Sequence, residues 1–218
     1  MSRPRTAARS PVPPAGKVRI IAGRWRGSRL EVPAVPGLRP SPDRVRETLF
    51  NWLQGDIAGA RCLDLFAGSG ALGFEAASRG AGEVVMVERD PRALAALGAA
   101  KARLGADQVE VVADDALAWL MRGPGRPFDV VFVDPPFAAG LHRAVLDALG
   151  PWLSPAARVY VESARGEPVH ELSGFTPHRQ GETRDTRHVL FARRKDASVH
   201  DAPATLAPSS GDQAPPTT

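Results

Sequence analysis

One cysteine in 218 residues excludes an internal disulfide and cannot by itself build a zinc site. Cys62 sits in an apolar run and reads as a buried small hydrophobe, which fits a reducing, cytoplasmic compartment. No apolar run approaches the roughly 18 residues of a membrane span, so no membrane partner is expected. The five histidines (His142, His170, His178, His188 and His200) lack metal-ligand spacing, so no metal is expected either. No Walker lysine follows the glycine-rich stretch around residue 70, and "AGSGA" is not G-x-S-x-G, which removes a P-loop and a nucleophile elbow. An apolar h-region is missing from the first residues, so a secretory signal is not expected. Acid is missing there too. Residues 1 to 30 hold eight Lys or Arg and no Asp or Glu, in a chain whose net charge is +4. A basic end of this kind suits contact with nucleic acid or a solvated, disordered tail better than a transit peptide.

What is present is a chain with 43 % hydrophobic residues, enough for a core of ordinary size. Residues 1–16 are rich in Pro, Arg and Ala, and residues 196–218 in Pro, Ser, Thr and Asp; both are expected to be disordered tails. A single domain over 17–195 is expected between them, divided into an extension (17–55) and a core (56–195). "KVRIIAGRWRGSRLEV" predicts a hairpin around a Gly-rich turn. "SPDRVRETLFNWL" predicts a helix with Ser41 as N-cap and Pro42 at its first position. Val45, Leu49, Trp52 and Leu53 share one face of it, with Arg44 and Arg46 off that face. Strands and helices then alternate from "RCLDLF" to "ARVYVES", and "FTPHRQGETRDTRHVLFARR" predicts a closing strand pair. This is the pattern of an α/β fold: a mostly parallel sheet, helices on both faces, an antiparallel pair at one edge. The unbroken apolar strands "VVMV" and "VVFV" agree, since central parallel strands are buried on both faces. Trp25, Trp52, Trp119 and Trp152 read as packing residues rather than stacking platforms.

In such folds ligands bind beyond the carboxyl ends of the strands. Gly68, Gly70 and Gly73 in "LDLFAGSGALG" spell G-x-G-x-x-G, and Glu88 follows Gly68 by twenty residues, where it can accept ribose hydroxyls. That is a dinucleotide fingerprint, and a nicotinamide dehydrogenase is one reading of it. Asp64, on the strand before the glycines, favours another. Its carboxylate would repel a pyrophosphate and attract the ammonium and sulfonium of S-adenosyl-L-methionine. In "VVADDAL", Asp114 or Asp115 can accept an adenine amino group, Asp115 being preferred, or can simply cap the next helix.

The stretch "FDVVFVDPPFAAG" ends a buried strand on an acid, two prolines and a ring. Pro135 and Pro136 stiffen the turn. The Asp134 carboxylate and the Pro135 carbonyl then form a rigid fork of two acceptors, with Phe137 as a flat apolar face. That suits a planar ring bearing an exocyclic amine. The amine's lone pair is conjugated and poorly nucleophilic; two acceptors draw it towards a pyramidal geometry, and the acid can take up the released proton.

"DPPF" matches the (D/N)PP(Y/F) motif of amino-directed methyltransferases. Together with "RIIAGRWRGSRLEVP", "GLRPSPDRVRETLFNWL", "CLDLFAGSGALGFEA" and "YVES", it makes residues 18 to 163 resemble the bacterial 16S rRNA (guanine-N2)-methyltransferases. The resemblance implies a Rossmann-like class I fold with a seven-stranded sheet. It implies methyl transfer from S-adenosyl-L-methionine to guanine N2, and 16S rRNA on a partly assembled small subunit as substrate. It places Asp134, Pro135 and Phe137 at the amine and Glu88 at the ribose. Asp64, Phe66, Gly68 and Gly70 fall at the methionine end of the donor. It also gives Arg24, Arg26, Arg39, Arg44 and Arg46 a role in holding RNA phosphates. The chain is expected to act as a monomer. Methylation of adenine N6 or of a protein glutamine shares the amine clamp and stays open at this point.

Overall fold

The structure, a computed structural model, describes residues 16–35, 41–136, 140–168 and 171–194. The tail expectations, Arg39, Phe137, His170 and His200 lie outside those residues, except that Gly16, placed in the tail, begins a strand.

Strands β1 (Gly16–Arg19) and β2 (Arg29–Val32) pair antiparallel, with Val18, Leu30 and Val32 turned inward. The turn between them presses on the molecule at Gly23, whose φ is +81°. A Cβ there would lie 1.9 Å from the Ser78 carbonyl oxygen, so only glycine fits. Helix α1 (Asp43–Trp52) follows, and here one expectation is corrected. Pro42, not Ser41, is the N-cap residue, and no side chain caps the helix. The Ser41 hydroxyl donates instead to Glu162 Oε2 at 2.7 Å, across 121 residues.

The alternating core runs β3 (Arg61–Asp64), α2 (Ala71–Ser78), β4 (Glu83–Glu88), α3 (Pro91–Leu104), β5 (Val109–Ala113), α4 (Ala116–Leu120), β6 (Phe128–Val133), α5 (His142–Leu149) and β7 (Leu153–Ala164). A hairpin of β8 (Phe175–Glu182) and β9 (Thr186–Arg193) closes it. The seven strands are ordered β5-β4-β3-β6-β7-β9-β8, parallel from β5 to β7, with β9 antiparallel to both of its neighbours. Val130, Val131, Phe132 and Val133 of β6 are all fully buried, because helices cover both faces there. On one face, Phe50 of α1 packs against Phe132 with ring centroids 5.9 Å apart, and Phe74 and Leu97 extend the same core under α2 and α3. On the other, Trp119 stacks on Trp152 at 4.4 Å beside Phe128. Each such side chain contributes about 1.5–3 kcal/mol relative to exposure. Cys62 is fully buried, and burial pushes its thiol up to about 12, so it stays protonated and inert. Strand order reverses between β3 and β6, and a cleft is expected at their carboxyl ends.

Candidate active site

Side chains alternate across a strand, so the residues sharing a face can be read from register. Asp64 ends β3 and pairs in register with Phe132, which pairs with Tyr160. Two positions on, Asp134 follows β6 level with Glu162, and Glu162 pairs with His188. Asp64, Asp134, Glu162 and His188 thus share the face covered by α1 and α2, at the reversal point.

Asp64 is 2 % exposed and accepts the Gly73 amide at 3.0 Å and the Phe66 amide. Burial pushes its carboxyl up to about 7, and the charge of Glu88 adds to the rise. Asp134 is half-buried. Its carboxyl is raised well above the usual range by desolvation, then by the charges of Glu162 and Asp64, against a hydrogen bond from Ser41. A carboxyl made more basic by its surroundings is better suited to take up a proton than an ordinary aspartate. Pro135 beside it is buried, which fixes the turn.

The three glycines do three different things. Gly68 (φ +53°) turns the chain, and its amide donates to Glu88 Oε2 at 2.8 Å. Gly70 (φ +75°) is the left-handed N-cap of α2, where a Cβ would meet Leu97 and Phe74 at 2.6 Å. Gly73 lets α2 lie against Met86. Glu88 is half-buried at the end of β4 and also accepts the Arg89 and Asp90 amides, each at 2.8 Å. Its carboxylate therefore ties the glycine loop to β4. Asp115 is the N-cap of α4, accepting from Leu117 and Ala118, and pairs with Arg89 at 3.0 Å. Asp114 pairs with Arg122. Asp64 and Glu88 end β3 and β4, and Phe66, Gly68, Gly70 and Asp115 lie in the loops after β3 and β5, so all six sit at one half of the cleft rim.

Among the arginines assigned to RNA, Arg24, Arg26 and Arg44 are exposed, and Arg24 lies over the Trp25 ring at 5.7 Å. Arg46 is corrected. It is fully buried, bonded to Asp43 at 2.6 Å and to the Arg19 carbonyl at 2.9 Å, and 3.6 Å from Glu75 Oε2. Glu75 on α2 is itself fully buried and accepts the Ile21 and Ala22 amides. A buried carboxylate needs a cation; Arg79 one turn along α2 donates to Glu75 Oε1 at 2.7 Å, and Arg46 of α1 adds a second guanidinium. This arginine joins hairpin, α1 and α2 and cannot reach a phosphate. The sequence reading missed Glu162 and Ser41 as site residues. Glu162 is 3 % exposed inside "YVES", and its only signal was a lone acid within an apolar strand.

Among the described residues no group of three or more His, Cys, Asp or Glu is placed to hold a metal ion, and no described helix is long and apolar enough to cross a membrane. Residues 18–192 match the family described as Conserved hypothetical protein 95. The chain is 49 % identical over 151 residues to the ribosomal RNA small subunit methyltransferase D of Escherichia coli, spanning 68 % of this chain and 76 % of that protein. It is 45 % identical over 166 residues to the protein of the same name from Haemophilus influenzae, spanning 74 % and 86 %. The solved structure of the Escherichia coli yhhF protein superposes with a TM-score of 0.74 at 41 % identity, covering 82 % of this chain and 98 % of that one.

Proposed function

Because the chain belongs to the ribosomal RNA small subunit methyltransferase D family, we propose that it methylates the exocyclic N2 of a guanine in 16S rRNA, presented on a partly assembled small subunit. The observation that carries this reading is the meeting of two carboxyls at the reversal point. Asp64 ends β3 on the glycine-loop side, and Asp134 directly follows β6 as the first residue of Asp-Pro-Pro-Phe. S-adenosyl-L-methionine supplies the methyl group, already activated on a sulfonium. The residues fit it. Asp64 is a buried carboxyl whose hydrogen bonds come from two neutral amides, and a ligand ammonium would give it the cation it lacks. Glu88 would take the ribose hydroxyls with the loop it braces, and Asp115 the adenine amine, on giving up Arg89 or its cap. Phe66, Gly68 and Gly70 would line the methionine end.

On the other side, Asp134 and the Pro135 carbonyl would hold the two N–H bonds of N2 while Phe137 supports the ring. With the donor bound, Asp134 and the Pro135 carbonyl would aim the N2 lone pair at the sulfonium methyl, the sulfur would keep the electron pair of the bond broken, and Asp134 would take the proton that N2 sheds. Alignment of this kind is worth roughly 7–11 kcal/mol. Extruding the base from RNA costs a few kcal/mol, partly recovered by stacking. Arg24, Arg26 and Arg44 would hold phosphates. No step here calls on a metal or on a second subunit.

Labelled donor offered with small subunits, naked rRNA, DNA and protein from cells lacking the gene tests the reading. The expected product is N2-methylguanosine from small-subunit rRNA. Label in adenine or glutamine would replace the substrate and keep the clamp; NADH binding without transfer would overturn the reading altogether.

A further inference from the structure

Building on that reading, we infer that Glu162 is the residue that selects guanine, accepting the ring N1–H while Asp134 holds the neighbouring amine.

Sheet order divides the cleft. The loops of β3, β4 and β5 hold the residues assigned to the donor, and Glu162 lies on the opposite side of Asp134, on β7. The acceptor base therefore enters between the Asp134 turn and the end of β7. Glu162 is built for a fixed position. Its Oε2 accepts the Ser41 hydroxyl at 2.7 Å and the Tyr160 hydroxyl at 2.9 Å, and its backbone carbonyl meets His142 Nε2 at 2.8 Å. Both side-chain bonds fall on Oε2, so Oε1 takes no donor among the described residues. No described Lys or Arg lies in ion-pair distance of this 97 %-buried side chain, whose relative exposure is 3 %. Next along the row, His188 is pushed towards its neutral form by burial, and its buried Nδ1 has no hydrogen-bond partner. The carboxylate is thus anchored through Oε2 beside a second carboxyl, and Oε1, which is not among the buried atoms left without a partner, is open to a donor that arrives from the cleft.

Guanine brings that donor. Its Watson–Crick edge sets N1–H directly beside the N2 amine, two donors facing two acids. Adenine with its N6 amine at Asp134 would turn a ring-nitrogen lone pair towards Glu162, and a glutamine amide would turn its own carbonyl. Both would be repelled. Glu162 thereby separates guanine from the two other substrates that the amine clamp alone admits. A site built to hydrogen-bond a donor rejects an analogue that lacks it by up to about 10⁴-fold or more.

The test maps the methylated nucleotide, then rebuilds small subunits with 16S rRNA ligated to carry either guanine or 2-aminopurine at that position. 2-Aminopurine keeps the 2-amino group, but its N1 bears a lone pair instead of hydrogen. The wild-type enzyme is expected to prefer guanine by about 10²-fold or more in kcat/KM. Glu162→Gln, whose amide can donate to that lone pair, is expected to lose guanine activity and to narrow the ratio at least about tenfold, with donor affinity unchanged by calorimetry. Equal wild-type rates on the two bases overturn the inference, and need no variant to fold. A Glu162→Gln enzyme that loses both activities in proportion overturns it as well. Wild-type failure on guanine itself would instead sink the underlying function.

Discussion

Asp64 shows what one buried carboxyl does to both stability and binding. Burial raises it to about 7, against about 4 for an aspartate in an unfolded chain. Between those values the folded protein holds a proton that the unfolded chain releases. This group's contribution to stability is therefore complete below about pH 4 and is lost as pH rises through about 7. Donor binding has the opposite dependence. An ammonium requires the carboxylate, so below about pH 7 the ligand must displace a proton, and affinity falls by up to about tenfold per pH unit. Calorimetry in two buffers of different ionisation enthalpy should show close to one proton released at about pH 6 and almost none above about pH 8. Asp64→Asn should bind weakly at every pH and release no proton. Affinity independent of pH in the wild type would contradict this assignment.

Helix α1 braces the site at several points. It lays Phe50 on Phe132 and Trp52 against His188, and Ser41, two residues before its first turn, fixes Glu162. Arg46 then clamps it to Glu75 of α2, the helix that starts at the glycine loop. Arg46→Met should destabilise the protein by about 3–5 kcal/mol in urea unfolding, because buried Glu75 keeps only the partly exposed Arg79 as a cation. Arg44, two residues earlier and exposed, should leave the urea midpoint unmoved when changed to Met while weakening binding to the small subunit. The two arginines look alike in the sequence. Helical spacing shows only which residues are apolar, and the partner that draws Arg46 inward lies 29 residues on, across a turn of the fold. An unmoved midpoint for Arg46→Met would show that the buried pair adds nothing.

At the scale of the molecule, the alternation of strands and helices, the apolar central strands and the glycine loop were legible because period and turn chemistry are local. The antiparallel hairpin at the edge was legible for the same reason. The acid row was only half legible. Asp64 and Asp134 announce themselves by interrupting loops with known chemistry, whereas Glu162 meets Asp134 through strand register, which no local pattern records. Local pattern makes Ser41 a cap, since capping is the commonest local use of serine before a helix; here a long-range partner, Glu162, wins. Electrostatics of the exposed face give a further expectation. Replacing Arg24, Arg26 and Arg44 together should lower the slope of log affinity for small subunits against log salt by about two to three, near one per phosphate contact. Donor affinity should not change. A slope equal to that of the wild type would remove these arginines from the RNA surface.

The central claim is that the cleft has a donor half governed by Asp64 and an acceptor half governed by Asp134. The most direct measurement pairs donor calorimetry with single-turnover methyl transfer to small subunits in Asp134→Ala. The account predicts a donor Kd within about threefold of wild type and transfer slower by about 10²–10⁴-fold, the range of a lost acid–base group. Transfer at the wild-type rate, or loss of donor binding together with transfer in a folded protein, would contradict it.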